Sequence, residues 1–158
     1  MFRFYKKSRG HQYYWEIEDI DTTSSMIHFG RVGQEGTKRF LKSGSGGYHQ
    51  EKINKQIKFV LDQGYSKLIR KDYQILVIEY EVEKKGAPLD YQAARYQLEF
   101  LLKEILKRYG LGCFDENNSG SEFTRFYCYV VDFELAKEII DQALKKMNFK
   151  SFSKIYLL

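Results

Sequence analysis

The chain has 158 residues, 43% hydrophobic and 16% aromatic, with a formal net charge of +5. That length and apolar content exclude disorder and allow one ordinary core or two small ones. Two cysteines and one proline exclude a disulfide scaffold and a long proline-rich linker.

No apolar run approaches the ~18 residues a membrane helix needs, and Met1-Phe2-Arg3-Phe4-Tyr5-Lys6-Lys7 turns polar too soon for a secretory signal. A cytoplasmic protein is expected, with Cys113 and Cys128 as reduced core residues and no membrane partner. Through Asp72 there are 14 Lys/Arg against 8 Asp/Glu; from Tyr73 onward the count is 12 against 13. A basic half beside a neutral one suits a polyanion-binding module joined to a second domain.

Residues 13–20 alternate, Tyr13, Trp15 and Ile17 on one side and Tyr14, Glu16 and Glu18 on the other, which predicts a half-buried strand. After the turn-forming run Asp21-Thr22-Thr23-Ser24, residues 25–29 complete a hairpin, and Gly33-Gln34-Glu35-Gly36 turns into a third strand over 37–42. Ser43-Gly44-Ser45-Gly46-Gly47 reads as a loop that lacks a nucleotide-binding signature. Over 49–63 the period becomes helical, with Ile53, Ile57, Val60 and Leu61 on the apolar face, Lys52, Lys55 and Lys58 on a flank, Gly64 as the stop and Tyr65 as its apolar contact.

A second pattern begins at Tyr73. Strand is predicted over 74–83, with Leu76, Ile78, Tyr80 and Val82 on one face, and 86–90 interrupts it at Pro88. Helix follows over 91–109, capped by Asp90, with Ala94, Leu98, Leu101, Leu102 and Ile105 inward. Strands over 111–114 and 124–131 flank a polar loop at 115–121; Asp132 caps a helix over 133–147, and 154–158 add a last strand. The expected fold class is therefore α+β. An antiparallel sheet with one helix (residues 1–71) precedes a ferredoxin-like βαββαβ domain (residues 72–158).

Residues 28–39 combine an aromatic, glycines and cations, the materials of a phosphate-binding surface, since backbone N–H groups can approach oxygens where side chains are absent. Four phosphate contacts, at Arg31, Lys38, Arg39 and Lys42, would give a slope of log K against log salt of about −3.6 on duplex DNA. The alternative is that these charges serve solubility alone or dock an acidic protein. No catalytic arrangement is visible. Asp115, Glu116 and Glu122 match no calcium loop, and His11, His28 and His49 are too scattered for a ligand set, so no enzyme activity, metal or cofactor is expected. Tyr127 and Tyr129 are available either to RNA on an open sheet face or to the core.

The run Phe29-Gly30-Arg31-Val32-Gly33-Gln34-Glu35-Gly36 resembles the Trp-Gly-Arg signature of WGR domains, with Phe29 at the Trp position. The likeness extends upstream to Tyr13-Tyr14-Trp15-Glu16-Ile17 and downstream to Gly64-Tyr65, covering roughly residues 11–68. WGR domains occur in DNA-dependent poly(ADP-ribose) polymerases and in bacterial proteins, and in the polymerases they bind DNA near strand breaks. The resemblance implies a WGR-like half that binds DNA, with Phe29 stacking on the nucleic acid and Arg31 as the charged contact. It does not imply polymerase activity, because too little chain follows residue 72 for that catalytic domain. The C-terminal half is expected to contact a partner or form a homodimer.

Overall fold

A computed structural model describes residues 1–43, 48–81, 90–119, 123–147 and 152–158. The chain divides into two compact units, Met1–Leu68 and Ile69–Leu158. Each is built on a four-stranded antiparallel sheet, and the described residues include three α-helices. No helix among them is long and apolar enough to cross a membrane.

The first unit runs β1 (Phe2–Ser8), β2 (His11–Asp19), β3 (Ser24–Arg31), β4 (Thr37–Lys42) and α1 (His49–Asp62), with the strands paired in chain order. β1 is a strand that the pattern reading did not include, because Lys6-Lys7 ends its apolar alternation after Phe4. Its pairing to β2 is set by Arg9 and Gly10, both at positive φ (50° and 76°), a two-residue turn whose twist matches that of the strands. Asp21 shapes the next turn. Hydrogen bonds from Ser24 and Thr23 hold its carboxyl down at about 2.

Phe4, Trp15, Ile17 and Ile27 form one core with Ile53 and Val60 of α1, and Phe29, Leu41, Ile57 and Tyr65 pack around it. Full burial of each aliphatic side chain is worth about 1.5–3 kcal/mol, so this face is the main favourable term in the unit. Leu61, expected on the apolar face of α1, is instead 45% exposed. The helix stops as expected: Gly64 N–H donates to Leu61 O and Tyr65 N–H to Val60 O, the paired bonds of a Schellman cap. The prediction of a half-buried β2 is corrected. Tyr14 and Glu16, on the face away from α1, are as inaccessible as Ile17.

The second unit runs β5 (Gln74–Glu81), α2 (Asp90–Arg108), β6 (Gly112–Ser119), β7 (Phe123–Val130), α3 (Phe133–Lys146) and β8 (Phe152–Leu157), after a 3-10 turn at Arg70–Asp72. Its sheet order is β6-β7-β5-β8. Leu76 and Ile78 of β5, Phe126, Cys128 and Val130 of β7, Leu98 and Leu102 of α2, and Ala136, Ile140 and Leu144 of α3 are buried in this unit. Asp132 caps α3, accepting from Leu135 N at 3.1 Å.

The polar loop expected at 115–121 is shorter than that. β6 continues to Ser119 after its register with β7 shifts between Phe114 and Asn117, so cross-strand pairing overrides the low strand preference of Asn and Asp. The glycine-rich residues 44–47, the break around Pro88, Val82 and the side chains of Asp90, Ala94, Glu116 and Glu122 lie outside what is described.

Candidate nucleic-acid interface

The β3–β4 hairpin closes through a type II turn: Gln34 N–H donates to Arg31 O at 3.1 Å, and Gly33 takes φ 86°, which that turn requires. Gly36 is required for a different reason. A Cβ there would stand 2.1 Å from Tyr14 Oη and 2.6 Å from Phe29 O, so only a hydrogen fits.

Beneath this turn lies a buried polar chain. Gly36 N–H donates to Tyr14 Oη, whose hydroxyl lies 2.9 Å from His28 Nε2. His28 Nδ1 is 3.1 Å from Glu16 Oε1, and Glu16 Oε2 accepts from Arg3 Nε at 2.7 Å and Nη2 at 2.6 Å. Because the Glu16 carboxylate only accepts, the Nδ1 nitrogen facing it carries a proton. Burial and the neighbouring Glu16 carboxylate push the Tyr14 phenol well above its usual range, keeping it a donor. The side-chain nitrogens and oxygens of Tyr14, His28 and Glu16 all have partners within it, and the His28 and Glu16 side chains are 1% and 2% exposed. The arrangement fastens the turn to the sheet; it presents nothing to a substrate. Sequence reasoning missed it, although Glu16 and His28 are direct cross-strand partners once the hairpin register is known.

The five predicted contact residues fall on two sides of the sheet. Alternation from the paired register places Phe29, Arg31 and Arg39 on the side of α1, and Lys38 and Lys42 on the other. Phe29 is half-buried and packs against the core, whereas Arg31, Lys38, Arg39 and Lys42 are exposed. Arg39 Nη2 donates to Gln56 Oε1 of α1 at 2.8 Å, and Lys52 Nζ of α1 donates to Lys42 O at 3.0 Å. The fold thus joins edge strand β4 to α1 and sets Arg39 and Lys52 along one margin, with the Lys42 side chain on the strand's opposite face. Lys55 and Lys58 of α1 are also exposed.

No protein-family model, curated protein or solved structure matches the chain. The second unit offers a separate charged cluster. Glu79, 3% exposed, accepts from Arg125 Nε at 2.6 Å and lies 3.3 Å from Lys154 Nζ. Burial pushes its carboxyl up, but hydrogen bonds and charge from Arg125 and Lys154 outweigh this and hold it below the usual range. Tyr129 is 9% exposed, with the Arg70 guanidinium 5.0 Å from its ring centre and Tyr73 edge-on beside it; Tyr127 is half-buried. Asp115 pairs with Arg70 at 3.7 Å.

Proposed function

We propose that the first unit is a WGR-like nucleic-acid-binding module, with DNA as its ligand, and that the chain works by binding rather than catalysis. The observation that carries this reading is the margin of edge strand β4, where Arg39 bonds Gln56 and Lys52 bonds the Lys42 carbonyl, which sets the Arg39 and Lys52 cations beside α1 with the Lys42 side chain on the strand's other face. Lys38 on the same edge strand and Arg31 at the hairpin turn extend it. A strand-borne row of cations beside a glycine turn positions a phosphate backbone without reading base sequence. Support for the WGR-like fold comes from the strand, glycine turn, strand and helix succession ending in Gly64-Tyr65.

The second unit is a ferredoxin-like domain in this reading, supported by its βαββαβ order and the sheet order β6-β7-β5-β8. Its role is contact with a partner, including a second copy of the chain. Both thiols, Cys113 and Cys128, are free, as suits a cytoplasmic protein.

A gel-shift panel with duplex, nicked and single-stranded DNA at low salt tests the reading. The intact chain is expected to bind, and Arg39→Ala with Lys52→Ala to bind more weakly. Absence of binding to all three would refute it, and selective capture of an acidic protein would then favour docking on the same cations.

A further inference from the structure

Two large aromatic side chains, Tyr48 at the N-cap of α1 and Phe59 within it, stand in solvent at 65% and 61% of full exposure. Neither contributes to the core of its unit, where Ile53 and Val60 supply the helix's buried contacts. Tyr48 immediately precedes the first helical residue, and the exposed Lys52 and Lys55 lie between it and Phe59 at steps of four, three and four. At about 100° per residue that spacing keeps all four on one stripe, roughly a third of a turn from the line of Ile53 and Val60. The stripe borders β4, since Lys52 bonds Lys42 O and Gln56, one turn beyond Lys52, bonds Arg39.

Exposed rings separated by cations are unsuited to an apolar partner, which would require contiguous apolar surface without ammonium groups inside it. They suit a polyanion with flat faces. We propose that the Tyr48–Lys52–Lys55–Phe59 stripe binds single-stranded nucleic acid without sequence preference. Tyr48 and Phe59 are its stacking platforms, and Lys52, Lys55 and Arg39 its phosphate contacts. The proposal rests on the nucleic-acid reading above and narrows it, because a base can lie on a side-chain ring only when it is free of a duplex stack. Eleven residues at ~1.5 Å rise put the two rings about 16 Å apart along the helix. At ~3.4 Å per stacked nucleotide, that is the span of roughly five nucleotides.

Fluorescence anisotropy of the intact chain with labelled oligothymidine and with a duplex of the same length tests this. The Tyr48→Ala/Phe59→Ala variant is expected to bind oligothymidine at least about 30-fold more weakly, from two lost stacking contacts, while duplex binding changes less than about threefold. Phe59→Tyr retains a ring and should bind the single strand like the parent. Lys52→Ala/Lys55→Ala should weaken binding to both oligonucleotides. All four side chains are exposed, and unchanged Trp15 emission verifies the fold of each variant. If the double aromatic variant keeps parental affinity for oligothymidine while the lysine variant loses it, the stacking proposal falls and the nucleic-acid reading stands. If the parent binds neither oligonucleotide, both fall.

Discussion

Replacing Glu16 with Ala removes the acceptor at the centre of the buried polar chain. Two donors lose their carboxylate: Arg3, whose side chain is 9% exposed, and His28 Nδ1–H, in a side chain that is 1% exposed. Breaking a buried ion pair from one side costs about 3–5 kcal/mol, because the remaining charge stays desolvated. A unit the size of Met1–Leu68 has a total stability of only about 3–5 kcal/mol. Glu16→Ala is therefore predicted to leave the first unit largely unfolded in water at neutral pH while the second unit keeps its structure. The assay is built into the chain. Its one tryptophan is Trp15, buried in the first unit's core, so tryptophan emission reports that unit alone, and circular dichroism retains the signal of the second. The variant should show red-shifted emission without denaturant, and Glu16→Gln, which keeps an acceptor for His28, should fall between it and the parent. Parental emission with a urea midpoint within about 0.5 M of the parent would refute the reasoning, since ~1 kcal/mol per M is the lowest slope expected for a small domain.

Gly36→Ala should destabilise the first unit by about 2–4 kcal/mol, because the new methyl overlaps Tyr14 Oη and Phe29 O and must break the Gly36–Tyr14 bond to fit. Urea unfolding followed by Trp15 emission checks this, and a cost below ~0.5 kcal/mol would show that the turn is loosely held. Glu79 sets an acid sensitivity in the second unit. Its folded carboxyl lies below the unfolded value of about 4.3, so the stability it contributes is complete above that value and is lost as pH falls through the folded one. Thermal unfolding by circular dichroism at pH 7 and pH 3 should therefore show a smaller acid-induced drop for Glu79→Gln than for the parent; equal drops would contradict the assignment.

Much of this fold was legible because each element is locally consistent. The two-residue period of Tyr13, Trp15 and Ile17, the helical period of Ile53, Ile57 and Val60, and Gly64 before Tyr65 all favour the same local conformation as the tertiary packing. β1 escaped notice because Lys6-Lys7 resembles solvated chain until Arg9-Gly10 folds it onto β2 and gives Arg3 a partner in Glu16. The period puts Glu16 on the side of β2 opposite Trp15 and Ile17, and period alone does not show that a loop carrying Gly36 covers that second face. The polar composition of Asn117 to Ser119 predicts loop, but strand preference reflects neighbours more than backbone, and here β7 supplies the neighbours.

Of the candidate site, the cations were legible and their grouping was not. Arg31, Lys38, Arg39 and Lys42 stand close in sequence, but strand alternation sends Arg39 toward α1 and Lys38 away from it. Phe29 packs against the core, where an alternating pattern places one strand residue in two. Tyr48 and Phe59 carried a signal that went unused: at eleven residues apart they occupy one helical stripe, away from the apolar face.

The salt dependence of duplex DNA binding tests the proposed interface most directly. Each phosphate neutralised contributes about −0.9 to the slope of log K against log salt, so removing three contacts in Arg39→Ala/Lys42→Ala/Lys52→Ala should make the slope shallower by about 2.7. A variant that binds with the parental slope and affinity would place the phosphate contacts elsewhere and contradict the assignment of the β4–α1 margin.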